Sequence, residues 1–136
     1  SFADVHRALE YLQVRDGDFS VLVGFDRLLL PALAMGCGGT VSGAATVFPE
    51  PLVKGYHAWK TGNLGEARAC MKEADGIIRA LKAGTRMSIF KAAQDMRGLT
   101  GGHMHGPLLD LTKEEIEETR QAIAPYLEKY PLPDLS

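Results

Sequence analysis

The sequence predicts an α/β fold: a βαβ unit with parallel strands, followed by helices, forming part of a larger α/β architecture. Three observations predict it. The runs Phe19-Ser20-Val21-Leu22-Val23 and Thr40-Val41-Ser42-Gly43-Ala44-Ala45 are short and uncharged, as strands covered on both faces are. They start about 20 residues apart with a helical stretch between them, which suits parallel strands joined by a right-handed crossover. Two such strands cannot form a parallel sheet that stands alone, because each needs neighbours and neither carries the charges of a protected edge.

Each element has its own local cause. Phe2, Val5, Leu9 and Leu12 fall at helical spacing over residues 1–13, and Ser1 with Asp4 has the capping-box arrangement. Arg15-Asp16-Gly17-Asp18 reads as a turn into the first strand. That strand ends at Gly24-Phe25-Asp26, and Asp26 suits the N-cap of a helix running to Met35, with Pro31 near its first turn. Gly36-Cys37-Gly38-Gly39 closes this helix, and the second strand follows. Pro49 to Thr61 predicts a helix with Pro and Glu in its first turn.

The remainder reads as helical. Leu64, Ala67, Met71, Ala74, Ile78 and Leu81 mark one long amphipathic helix, stopped by Gly84. Met87, Phe90 and Ala93 mark another, with Met96 one turn on. Gly98 to Gly106 is a loop carrying His103 and His105. A last helix begins at Thr112: Thr112 and Glu115 form a capping box, and Leu111 and Ile116 fit the hydrophobic staple around it. Pro125, inside that helix, should bend or end it.

Composition bounds the function. The 136 residues suffice for one domain and not comfortably for two. With 15 basic against 17 acidic residues the formal net charge is −2, so an electropositive surface built for nucleic acid is excluded. No apolar run approaches the roughly 20 residues of a membrane span. Cys37 and Cys70 make neither a disulfide framework nor a zinc spacing, so a cytoplasmic protein without a secretory signal is expected. The chain opens at Ser1 without an initiator Met, and the expectation is that its beginning lies upstream.

Four motifs in sequence carry a family resemblance. They are Val23-Gly24-Phe25-Asp26, then Ala34-Met35-Gly36-Cys37-Gly38-Gly39-Thr40-Val41-Ser42-Gly43 with Phe48-Pro49-Glu50, then Gly62-Asn63-Leu64 through Glu66-Ala67-Arg68, and His105-Gly106-Pro107-Leu108 through Leu111-Thr112. Their order and spacing resemble the C-terminal half of the dihydrodipicolinate synthase and N-acetylneuraminate lyase family, over nearly the whole chain. One departure is His105, which stands where the family usually has Arg. The resemblance implies the C-terminal part of a (β/α)8 TIM barrel, namely its last two βα units in residues 1–61, with a C-terminal helical extension in residues 62–136. Such a barrel needs about 250 residues, so the earlier strands are missing partners.

The resemblance also implies an activity. Members form a Schiff base between a lysine at the end of the sixth strand and pyruvate or another 2-oxo acid, with an aldehyde-type second substrate. A tyrosine of the fifth strand assists proton transfer, and members are commonly homotetramers. The family lysine is followed by an acidic residue and then Ser; Ser1 matches that Ser, which puts lysine and tyrosine outside this chain. Lys54, Lys60, Lys72, Lys82, Lys91, Lys113 and Lys129 all lie in helical segments and read as solvated residues, not nucleophiles that need a lowered pKa. No cofactor and no metal is expected.

What the resemblance leaves here is a set of substrate-binding candidates: Gly24, Asp26, Val41, Ser42 and Gly43. Gly24 allows close approach to the backbone. Asp26 has two readings, an acceptor for a substrate hydroxyl or a helix N-cap. Val41 matches the residue whose backbone lies against pyruvate, and Ser42 either contacts substrate or satisfies nearby backbone. Gly43 replaces a hydroxyl residue frequent in the family. His103 and His105 have no convincing third ligand and read as exposed loop residues, Cys37 as small packing, and Tyr56, His57 and Trp59 as packing at a helix end. Two other functions compete. A non-catalytic helical interaction module would need no missing strands, and a phosphate-binding barrel would use Gly24 and Gly43 with Arg27 as the lone nearby cation.

Overall fold

The computed structural model of the chain describes residues 5–14, 16–17, 19–82 and 86–132. The expectations that rest on Ser1, Phe2 and Asp4, on Arg15 and Asp18, and on Gly84 fall outside the described residues. The elements run α1 (Val5–Val14), β1 (Leu22–Val23), α2 (Leu29–Met35), β2 (Gly39–Thr40), α3 (Glu50–Lys60), α4 (Leu64–Ala80), α5 (Met87–Met96) and α6 (Lys113–Lys129), with 3-10 turns at Asp26–Leu28 and Ala44–Thr46. The chain divides into two compact units: residues up to Ser42 with Glu50–Asp75, and Gly43–Pro49 with the residues from Gly76 on.

In the first unit β1 and β2 are parallel, with Leu22 opposite Gly39 and Val23 opposite Thr40. The pairing is as expected and the strands are shorter than expected. The ladder runs only from the Val21 carbonyl, which accepts from Gly38 N–H at 2.8 Å, to the Val23 carbonyl, which accepts from Val41 N–H at 2.9 Å. Beyond it Ala44 and Ala45 turn into a 3-10 helix instead of extending the strand. Coverage also differs from the expectation, because side chains alternate across a strand. Val21 and Val23 are buried with Ala8, Ala32 and Cys37, while Leu22 between them is 52% exposed. Among the described residues of this unit, α1 and α2 pack against one face of the pair and the other stays open.

Gly36 closes α2 in the left-handed region, φ 99°, its N–H reaching back to Ala32 and Leu33 carbonyls, the conformation glycine adopts without penalty. The next helix junction is capped by Asn63. Its Oδ1 accepts from Glu66 N–H at 3.1 Å, and its Nδ2 donates to the Glu66 carboxylate at 3.0 Å.

The second unit is built on Val47 and Phe48, which are fully buried with Ile77, Leu81, Phe90 and Ile123. The predicted capping box starts α6: Glu115 N–H donates to Thr112 Oγ1 at 3.3 Å, and Thr112 N–H donates to Glu115 Oε2 at 2.8 Å. Pro125 does not end the helix, which continues to Lys129. Packing carries the chain past it, since Ile123 is wholly buried and the rings of Tyr126 and Tyr130 lie 6.1 and 6.5 Å from that of Phe48. No helix among the described residues is long and apolar enough to cross a membrane.

Candidate active site

The sequence-predicted residues of the first unit gather at the C-terminal ends of its two strands. The Val23 carbonyl, last of β1, accepts both Val41 N–H and the Thr40 hydroxyl, the latter at 2.8 Å, so the strand ends are pinned together. Gly24 follows β1 and is exposed. Phe25 is extended, φ −141° and ψ 108°, and Asp26 begins the 3-10 turn that feeds α2. Val41 is 66% exposed and Ser42 is half-buried just beyond β2.

Of the two readings of Asp26, the N-cap is not what the structure holds. Phe25 occupies the cap position of the 3-10 turn, and neither the turn nor α2 has a side-chain cap. The reason is local: starting the helix as a 3-10 turn makes the Asp26 backbone carbonyl the acceptor for Leu29 N–H and leaves its carboxylate out of the cap. Asp26 Oδ1 is buried with no hydrogen-bond partner among the described residues. A buried acceptor is ordinarily satisfied, so an orphaned one calls for an explanation. Next to it, Arg27 Nε donates to Asp75 Oδ1 at 2.5 Å, which commits that guanidinium to an ion pair.

Gly43 opens the second unit. Its carbonyl accepts Thr46 N–H at 3.1 Å and Thr46 Oγ1 at 2.7 Å, closing the turn. A β-carbon on Gly43 would lie 3.3 Å from the edge of the Phe90 ring, so position 43 has room for glycine and a hydroxyl side chain would have to displace that ring. Only its backbone can serve a ligand.

The lysines are exposed as expected, except Lys91. Its Nζ donates to the Gly101 carbonyl at 2.7 Å and holds the loop that follows α5. The long aliphatic stem lets a lysine on a helix reach a neighbouring loop while half-buried. In the same loop Asp110 accepts Met104 N–H at 2.8 Å and meets His103 Nδ1 at 2.9 Å, and those contacts, the backbone one first, hold its carboxyl below the ordinary carboxylate range. His103 is exposed, and no group of three His, Cys, Asp or Glu side chains among the described residues is arranged to hold a metal ion.

Sequence reasoning missed Arg97. It is buried at the end of α5, donates to the Val47 carbonyl and, at 2.8 Å, to the Tyr130 carbonyl, and lies 4.7 Å from the centre of the Phe48 ring. A signal existed, because Phe90, Ala93 and Arg97 continue one helical stripe and place the arginine on the buried side.

Residues 1–125 match the model of the Dihydrodipicolinate synthetase family. The 4-hydroxy-tetrahydrodipicolinate synthase of Methanopyrus kandleri is 34% identical over 126 residues, 93% of this chain and 41% of the relative. That of Methanoculleus marisnigri is 33% identical over 111 residues, 82% of this chain and 38% of the relative. The crystal structure of dihydrodipicolinate synthase from Aquifex aeolicus aligns with a TM-score of 0.81 and 27% identity over 98% of this chain and 45% of that one. A 2-keto-3-deoxygluconate aldolase from Sulfolobus sulfataricus shares the fold at a TM-score of 0.82 and 19% identity, over 94% of this chain and 44% of its own. The chain thus spans less than half the length of the relatives it matches. With a family model matched over residues 1–125 and relatives a third identical, the chain belongs to the dihydrodipicolinate synthetase family.

Proposed function

We propose that the chain is the C-terminal portion of a cytoplasmic, homotetrameric lyase or aldolase that joins or cleaves pyruvate, or a related 2-oxo acid, and an aldehyde. On this reading residues 1–61 hold the last two βα units of a (β/α)8 barrel, residues 62–136 form a helical extension, and the catalytic lysine and tyrosine lie in the part preceding Ser1. The lysine amine adds to the ketone carbon, water leaves, and the imine so formed draws electrons from the neighbouring carbon. Gly24, Asp26, Val41, Ser42 and Gly43 contact the substrate.

The observation that carries the reading is Asp26 Oδ1, on the turn after β1, buried and without a hydrogen-bond partner among the described residues. In parallel barrels the C-terminal strand ends carry the chemistry, and a substrate hydroxyl donating to this oxygen would complete it. Family membership favours this over a free-standing interaction module. The phosphate-binding alternative loses its cation, because Arg27 is held by Asp75.

The test is intact mass after pyruvate and borohydride on the complete polypeptide that contains these residues. A reduced pyruvyl adduct, mapped to a lysine outside residues 1–136, is the expected result. An adduct on one of the seven lysines named above, or none at all, refutes the proposal.

A further inference from the structure

We infer that Gln94 is a positioning residue for the proposed 2-oxo-acid site, acting on Gly43 through Thr46; the inference rests on the functional reading above. Phe90, Gln94 and Arg97 follow one another on α5 and just past its end at spacings of four and three, so they share a helix face. Each meets a different point of the segment Gly43–Phe48. The Phe90 ring closes over the β-carbon position of Gly43 at 3.3 Å. Gln94 Nε2 donates to the Thr46 carbonyl at 3.1 Å. Arg97 donates to the Val47 carbonyl.

Thr46 is the hinge of this arrangement. Its N–H and hydroxyl both donate to the Gly43 carbonyl, while its own carbonyl is taken by Gln94. A displacement of Thr46 is therefore transmitted to Gly43, whose backbone is all that position 43 can offer a substrate. Phe90 and Arg97 are buried, and their loss threatens the core itself. Gln94 is only half-buried, so its donor can be removed while the helix and its packing stay intact.

The experiment uses the complete polypeptide and pyruvate as the probe, reading the pyruvate concentration for half-maximal borohydride trapping and the maximal trapping rate separately. Gln94→Glu keeps the size and removes the donor. It is expected to raise the half-saturating concentration about fivefold, the weight of one ordinary hydrogen bond, with the maximal rate changed less than about twofold. Gln94→Lys, which restores a donor, should return the value to within about twofold of wild type. If Gln94→Glu does not fold, Gln94→Met, of equal length and without a donor, carries the same expectation. Unchanged half-saturation in the donor-less variant, or no recovery in Gln94→Lys, overturns the inference and leaves the aldolase reading standing. Absence of any adduct on the wild type overturns both.

Discussion

Phe90 is packed against the one face of Gly43 where a side chain would begin, its Cζ 3.3 Å from the ideal β-carbon position. The pair is complementary: a large ring on α5 fills what a larger residue after β2 would otherwise occupy. Gly43 has φ −70° and ψ −41°, a conformation any residue adopts, so the ring and not the backbone is what opposes a side chain at this position.

A sign reversal tests that relationship. Alanine at an unstrained position stabilises by about 0.4–1 kcal/mol through the unfolded chain, whereas forcing a methyl into a packed core costs about 1–3 kcal/mol. Phe90 is buried within the core of its unit and cannot yield freely, so Gly43→Ala should destabilise. In a Phe90→Leu background the obstruction is gone, and the same change should be neutral or stabilising. Denaturant unfolding of the four proteins of the cycle measures it, and equal effects of Gly43→Ala in both backgrounds would refute the coupling.

The loop after α5 depends on a closer approach. A β-carbon on Gly101 would lie 2.0 Å from the Lys91 carbonyl oxygen and 2.7 Å from its carbon, and backbone of a packed helix has nowhere to go. Gly101→Ala should therefore cost about 3 kcal/mol or more, the upper end of overpacking. Lys91→Met, which keeps the stem and loses the bond to the Gly101 carbonyl, should cost only about 1 kcal/mol. Thermal unfolding of both variants gives the ranking.

These loop contacts mark the limit of what the sequence could supply. Apolar spacing made α1, α4 and α5 legible, signals at their ends made α2, α3 and α6 legible, and the parallel pairing of β1 and β2 followed from two uncharged runs separated by a helix. The Thr112–Glu115 cap was legible because a capping box is a local device of four residues. Long-range polar contacts were not. Lys91 to Gly101, Gln94 to Thr46 and Arg97 to Val47 link positions that no local pattern connects, and a lysine or glutamine on a helix reads the same whether it meets water or a loop carbonyl. Asp26 failed differently: an acidic residue ahead of an apolar helix is the usual N-cap signature, and the 3-10 start that frees its carboxylate leaves no trace in the sequence.

Acid stability should carry the signature of the α6 cap. The Thr112 N–H and, less strongly, the Arg86 guanidinium hold the Glu115 carboxyl below its ordinary value of 4.5. A carboxylate whose pKa is lower folded than unfolded contributes stability above the unfolded value and loses it as pH falls through the folded one. Glu115→Gln should accordingly flatten the fall in unfolding midpoint below about pH 4.5 relative to wild type. Thr112→Ala removes the cap hydroxyl, which also bonds the Glu114 carboxylate, and should lower stability by about 1 kcal/mol at neutral pH. Identical acid profiles for wild type and Glu115→Gln would show that the cap contributes nothing to the pH dependence.

Asp26→Ala separates the two roles that the sequence allowed this residue. As an N-cap its loss would cost about 1 kcal/mol. The structure instead leaves Oδ1 buried and unpartnered among the described residues, a burden of about 1–3 kcal/mol that alanine removes. Against that gain stands the favourable placement of an acidic group in the first helical turn, about 0.3–1 kcal/mol. The orphaned oxygen is the larger effect, so ligand-free Asp26→Ala should be as stable as wild type or up to about 2.5 kcal/mol more stable. Its cost should appear elsewhere, as weaker use of the hydroxyl-bearing substrate at unchanged pyruvate trapping. Residues that lower stability while serving a ligand behave in this opposed way. A loss of stability on substitution would return Asp26 to the capping role and remove the observation on which the proposed site rests.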